Sequence, residues 1–221
     1  METKGRIMAS GNANRLLALG GAGVLVIALV GVISWMAFNQ PARGAPEQPF
    51  SLSDTRGGTV DQNVFHGRPS LVYFGYTNCP DVCPTTLIEM ADWLNDLGPE
   101  AKDVQALFFS VDPERDTLDV LQPYVASISD RIVGVTGSSA EMEKAAKAWL
   151  VYARKAGEGA DYHMRHSTSL LMIGANGRLQ GLIPYGTPKD EAMQKIRSVL
   201  LKNAPPARST EARETTAPHA G

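Results

Sequence analysis

An α/β sandwich is the fold class this sequence predicts, and three observations predict it. Residues 71–76 are an unbroken apolar run, the pattern of a strand covered on both faces, and residues 104–111 read as a second buried strand. Stretches with helical spacing alternate with these runs. Late in the chain, two apolar runs flank Asn176-Gly177, the signal of a tight antiparallel hairpin.

Taken in order, the chain opens with a short charged segment, residues 1–15. Residues 16–38 then carry no charge and are long enough to span a bilayer as a helix. Lys4, Arg6 and Arg15 precede them, which places the N-terminus in the cytoplasm and sends the rest across. A cleaved signal peptide is the competing reading. The apolar part is too long for one, and Ala42-Arg43-Gly44 is a poor cleavage site. Trp35 fits the outer aromatic belt. Residues 39–49, rich in Pro, Gly and Ala, read as a tether.

Residues 50–54 alternate apolar and polar, as an edge strand or hairpin does. The strand 71–76 leads through Cys79 and Cys83 into a helix with Leu87, Met90, Leu94 and Leu97 on one face. The strand 104–111 follows, then a helix over 118–127 and a strand over 131–136. Ser138 and Glu141 have capping-box spacing, and Met142, Ala145, Ala146 and Trp149 continue that helix. The hairpin strands are 169–173 and 179–184. Thr187 is placed to cap a last helix with Pro188 at its first position, running to about residue 201 with Met193, Ile196 and Val199 inward. From residue 203 the composition is that of a disordered tail. Strand–helix units, then a hairpin and a closing helix, describe a thioredoxin-like sandwich over residues 50–202, preceded by one transmembrane helix.

The chain has 221 residues, a formal net charge of -2 and two cysteines. That charge gives no reason to expect nucleic acid. Two cysteines do not make a disulfide scaffold, and a bridge four residues apart adds little stability, so redox or metal chemistry competes with a structural role. Pro84 is tolerated only in a first helical turn, which suggests a helix starting at Pro84, Cys83 near its cap and Cys79 on the loop. A thiol at a helix N-terminus is expected to have a lowered pKa. Two thiolates suit Cu(I) or zinc but want a third donor. His166, on the loop before the hairpin, is the candidate; an ordinary polar loop histidine is the alternative. His163 is read as its solvent-facing neighbour, and His66 and His219 receive no role. Met90, Met164 and Met172, with Trp93 and Trp149, are read mainly as core. The run Asp112–Thr117 invites a catalytic reading, but a capped turn starting a helix explains it as well.

The chain resembles the SCO/SenC family of membrane-anchored copper proteins linked to cytochrome c oxidase assembly. The residues that carry the resemblance are Tyr73-Phe74-Gly75-Tyr76-Thr77, Cys79-Pro80-Asp81-Val82-Cys83-Pro84, the run from Ser110 to Thr117, and His166-Ser167. The resemblance implies that Cys79, Cys83 and His166 bind one copper ion, as Cu(I) or Cu(II), and that Cys79 and Cys83 form a reversible, redox-active disulfide. It implies a metallochaperone, a metal-transfer protein and not a catalyst in the usual sense. The implied partner is cytochrome c oxidase subunit II, at its binuclear copper centre. Other periplasmic copper chaperones or thiol reductants are further partners. The implied location is a bacterial inner membrane, with the C-terminal domain in the periplasm. The family often has Asp before the metal histidine; here Arg165 stands there, and Asp161 or Asp81 is the substitute to look for.

The alternative function is a membrane-anchored thiol–disulfide oxidoreductase reducing periplasmic cysteines. Thioredoxin-type enzymes have two residues between their cysteines and a proline before the hairpin strand. This chain has three, and reads Arg165-His166-Ser167-Thr168 there. A peroxidase is disfavoured because Pro80 stands where that chemistry wants a Thr or Ser.

Overall fold

The structure, a computed structural model, describes residues 27–35, 49–159 and 161–203. The chain divides into two units, residues 1–41 and 42–221. In the first, residues 27–35 are helical and exposed. The rest of the predicted anchor lies outside the described residues, as do most of the tether and the tail beyond residue 203. No helix among the described residues is long and apolar enough to cross a membrane.

The second unit begins with a hairpin of β1 (Leu52–Asp54) and β2 (Thr59–Val60). It continues through β3 (Ser70–Gly75), α1 (Val82–Leu97), β4 (Gln105–Ser110), α2 (Leu118–Ile128), β5 (Ile132–Thr136) and α3 (Ser139–Ala148). Then come β6 (Ala153–Ala156), β7 (His163–His166), β8 (Leu170–Ile173), β9 (Leu179–Ile183) and α4 (Lys189–Asn203). The main sheet has the order β2-β1-β5-β4-β3-β8-β9, while β6 and β7 form a separate antiparallel pair. Strands β3, β4 and β5 are parallel neighbours, and β8 returns antiparallel along β3. This is the mixed α/β, thioredoxin-like arrangement that the alternation of apolar runs and helical spacings predicts.

All six residues of β3 are buried, because both sheet faces are covered. Alternation along the strands sorts the aromatics. Phe74 and Phe109 share a cluster with Phe50 and Phe65, and Phe65 meets Trp149 edge-on at 5.0 Å. Tyr73 and Phe108 stack at 6.2 Å on the opposite face, where Tyr73 meets Cys83 of α1. The last strand pair turns at Asn176-Gly177 as predicted, with Gly177 at φ 70°.

Four local expectations are corrected. Helix α1 begins at Val82, two residues before Pro84. The first four amides of a helix have no intrahelical acceptor, so Pro84 at the third position forfeits no bond; the first one runs from the Thr85 amide to the Asp81 carbonyl at 3.2 Å. The capping box forms by half. Ser138 Oγ accepts from the Glu141 amide, but the Glu141 carboxylate accepts from the Ser51 amide at 2.8 Å and ties β1's approach to α3. Thr187 does not cap α4, because its hydroxyl donates to the Pro184 carbonyl at 2.7 Å. The segment before His166 is the hairpin β6–β7 and not an open loop.

Candidate metal centre

The site is assembled from three elements. Strand β3 ends at Gly75, and the chain crosses residues 76–81 before entering α1. That crossing is pinned at Thr77. Asp116, fully buried, accepts from the Thr77 amide at 2.9 Å, from its hydroxyl at 2.6 Å, and from Ser110 Oγ at 2.5 Å. The Asp116 carbonyl accepts in turn from Thr136 Oγ1 at 2.7 Å. The loop is therefore bound to β4 through the Asp116 carboxylate and to β5 through the main-chain carbonyl of the same residue.

Cys79 is half-buried on this loop, and Cys83 is fully buried in the first turn of α1; both are free thiols. The Cys83 amide donates to Cys79 Sγ at 3.4 Å. The helix N-terminus thus presents an N–H to the loop sulfur, not to the helical one. Cys83 Sγ faces Tyr73 Oη at 3.8 Å. Its environment reverses the expected pKa. Burial pushes the thiol up to about 12, and the neighbouring Cys79 adds to that, so desolvation outweighs the helix end in the metal-free site.

His166 is the last residue of β7, where it pairs with Ala153. Its Nε2 lies 3.5 Å from Cys83 Sγ. Its Nδ1 lies 2.8 Å from the Ser167 carbonyl oxygen. A carbonyl only accepts, so Nδ1 carries the proton and Nε2 turns a lone pair toward the sulfur. Burial lowers the imidazole pKa, against bonds to the Ser167 and Phe74 backbone that raise it. The rings of Tyr76 and Tyr73 meet it edge-on at 5.7 and 6.1 Å.

Cys79, Cys83 and His166 are brought together, with one ligand atom from each lying within 4.8 Å of the others. Bonds of about 2.0–2.3 Å place donors in one shell roughly 3.3–4 Å apart, so a small contraction brings the three onto one ion. A shallow depression of about 450 Å³ opens over Cys79 and His166, lined by Tyr76, Val82, Met164 and Arg165.

The other candidates fall elsewhere. His163 is exposed on the opposite face of β7. Met90, Met172, Trp93 and Trp149 are buried core, and Met164 is half-buried at the groove. Asp81 accepts from Thr85 Oγ1 at 3.5 Å, and Asp161 is exposed; the partner of the imidazole is the Ser167 carbonyl, so neither carboxylate takes the place that Arg165 leaves open. The run Asp112–Thr117 is more than a capped turn. Thr117 caps α2 by backbone position, while Asp112 and Asp116 are buried acceptors. Asp112 accepts from Tyr162 Oη at 2.6 Å and pairs with Arg115, whose guanidinium lies 3.7 Å over the Tyr162 ring. This network joins the β4–α2 loop to the foot of β7.

The class so defined is a thioredoxin-like domain whose dithiol turn and late-strand imidazole form a group able to hold one metal ion. The comparisons narrow the class. A model of the SCO1/SenC family matches residues 39–201, and the chain belongs to that family. It is 36% identical over 152 residues to the human mitochondrial protein SCO1 homolog, covering 67% of this chain and 50% of that one. It is similar to Bradyrhizobium japonicum ScoI, solved with copper bound, at 36% identity and a TM-score of 0.64, covering 72% of this chain and 99% of that one. It is similar also to BsSco, a member of the Sco family of cytochrome c oxidase assembly proteins with a disulfide switch. That match has 28% identity and a TM-score of 0.57, over 73% and 97% of the two chains. The chain spans about half the length of the human relative and of the mitochondrial SCO2 of Saccharomyces cerevisiae.

Proposed function

We propose that this chain is a copper-binding metallochaperone. It holds one copper ion through Cys79, Cys83 and His166 and serves the assembly of the binuclear copper centre of cytochrome c oxidase subunit II. The observation that carries the reading is convergence: one ligand atom each from Cys79, Cys83 and His166 lies within 4.8 Å of the others, with His166 Nδ1 held by the Ser167 carbonyl. Two thiolates and one imidazole are a soft donor set that suits copper. Copper as cargo displaces the thiol protons, and burial makes the Cys83 proton hard to lose in the absence of metal. The copper-bound relative from Bradyrhizobium japonicum supports the choice of metal, and BsSco supports the assembly role.

Residues 16–38 act as the anchor of a single-pass protein in a bacterial inner membrane. The domain over 50–202 sits in the periplasm beyond the tether 39–49. The test is a copper count on the purified full-length chain with Cys79, Cys83 and His166 each replaced by Ala. Each replacement lowers the count, and the thiolate-to-Cu(II) charge-transfer band disappears in His166→Ala. Equal copper in wild type and all three variants ends the reading.

The second reading is a thiol–disulfide oxidoreductase acting on periplasmic cysteines. It is supported by two free cysteines four positions apart, one of them accessible, and by the disulfide switch of BsSco. Brisk reduction of a protein disulfide by a chain that retains no copper favours it. The same thiols serve both readings, and Cys79 and Cys83 then cycle through a disulfide.

A further inference from the structure

The hairpin β6–β7 carries a feature that the copper site does not use. Arg154 and Arg165 are directly opposite each other in its register. Both are exposed, and they share the hairpin's outer face with His163, also exposed. Like charges directly opposite in an antiparallel pair are destabilising. Among the described residues, neither guanidinium has a carboxylate within ion-pair distance, and neither makes a hydrogen bond. The nearby acids are engaged elsewhere. Glu114 pairs with Lys155 at 3.3 Å, and Glu143 with Lys147 at 2.7 Å. Arg154 reaches Glu143 only as a weak electrostatic influence, after Lys147. Two guanidinium forks without an ion-pair partner therefore stand side by side across the β6–β7 hairpin, one of them on the strand that ends in His166. Arg165 also forms part of the rim of the depression over Cys79, together with the exposed Tyr152.

We propose that Arg154 and Arg165 form a docking site for a carboxylate-bearing segment of a partner protein, and that this site seats the partner over Cys79. Arginine forks recognise carboxylates in bidentate pairs, and two adjacent forks select a segment with two acidic groups. Tyr152 offers that segment an amphipathic ring beside the charges. A dense anionic surface such as a lipid headgroup layer fits less well. Arg154 shares its groove with Glu114 and Glu143, and the whole chain carries a net charge of -2. This inference rests on the metallochaperone reading for the partner's identity, the chain that receives copper.

The test measures association of the full-length chain, metal-free, with the soluble copper-site domain of oxidase subunit II, at low and at physiological salt. Wild type associates, and its on-rate falls with salt. The double variant Arg154→Glu/Arg165→Glu loses about tenfold or more in on-rate at low salt, and most of the salt dependence goes with it. Arg154→Gln/Arg165→Gln falls between the two, and its thermal midpoint is no lower than wild type, since the pair contributes no stability. Unchanged on-rates, absence of association by the wild type, or a lowered midpoint in the Gln variant each overturns the proposal. So does loss of binding to phosphatidylglycerol vesicles with unchanged binding to the domain. Copper content is counted in parallel. A wild type that associates but holds no copper refutes the copper reading and leaves the docking site standing.

Discussion

Asp116 holds Thr77 by two hydrogen bonds, one from the amide and one from the hydroxyl, across 39 residues of sequence. This one carboxylate decides where the cysteine loop leaves the sheet. It is fully buried and also accepts from Ser110, so its three recorded bonds go to the loop and to β4.

Asp116→Asn replaces an acceptor-only group by one that also carries two donors, set against three donors that need acceptors. We expect a loss of about 2–4 kcal/mol, the range for breaking a buried charged hydrogen-bond network. Urea unfolding measures it, through a lowered midpoint at unchanged slope.

The two thiols differ in reach. At pH 8, iodoacetamide should modify Cys79 of the metal-free chain and leave Cys83 intact, read by fragmentation of the peptide that holds both. Cys83 is fully buried, with its thiol raised from the ordinary 9 to about 12. The sign follows from linkage. A group protonated more firmly in the folded state stabilises fully below pH 9, and that stabilisation is lost as pH rises toward 12. Substitution of Cys83 by Ser removes this alkaline loss; equal labelling of both thiols at pH 8 contradicts the burial argument.

Gly75 ends β3 against the site. A Cβ there would lie 2.8 Å from the Phe108 ring, 3.0 Å from Cys83 Sγ and 3.0 Å from the Tyr73 ring. All three neighbours are buried, so Gly75→Ala should destabilise the domain by about 1–3 kcal/mol, as overpacking does. It should weaken copper binding as well, because Cys83 Sγ is one of the atoms displaced. Competition with a chromophoric Cu(I) chelator measures the second effect.

Leu150 is the one non-glycine residue with positive φ among the described residues, at 54°. It follows α3 in a Schellman turn. The Leu150 amide donates to Lys147 and the Val151 amide to Ala146. The position favours glycine, and the leucine side chain is 64% exposed, so little packing offsets the strain. Leu150→Gly should stabilise the domain by about 0.5–1 kcal/mol, the relief of a left-handed leucine less the entropy that glycine adds to the unfolded chain. Thermal unfolding reads this as a raised midpoint.

The centre of the sheet was legible because β3, β4 and β8 are largely apolar runs, and burial on both faces leaves little room for a polar alternative. The convergence of Cys79, Cys83 and His166 was legible because topology brings the chain just before β8, here the end of β7, to the start of α1. The hairpin β6–β7 was not. Its residues Ala153–Ala156 and His163–His166 are mostly polar, since the pair lies outside the main sheet with its outer face in solvent. Glycines 157 and 159 between two segments of alternating exposure were the available signal. Asp112 and Asp116 read as part of a capped turn because an acid just before a helix usually caps it. Their partners, Tyr162 and Thr77, lie 50 and 39 residues away, and no local pattern encodes them. The start of α1 was misplaced because Pro84 was given an amide to lose at a position where no amide is used.

The group that steers the His166 ring is a main-chain oxygen. Ser167 supplies it while its own amide donates to Tyr152 at 2.9 Å and its hydroxyl accepts from the Tyr152 amide at 3.0 Å. A carboxylate in that role would be erased by a single codon change, but a peptide carbonyl survives every substitution that leaves the strand intact. The orientation of the imidazole is thereby insulated from genetic drift at its neighbours, and position 165 is free to change its charge without disturbing the ring.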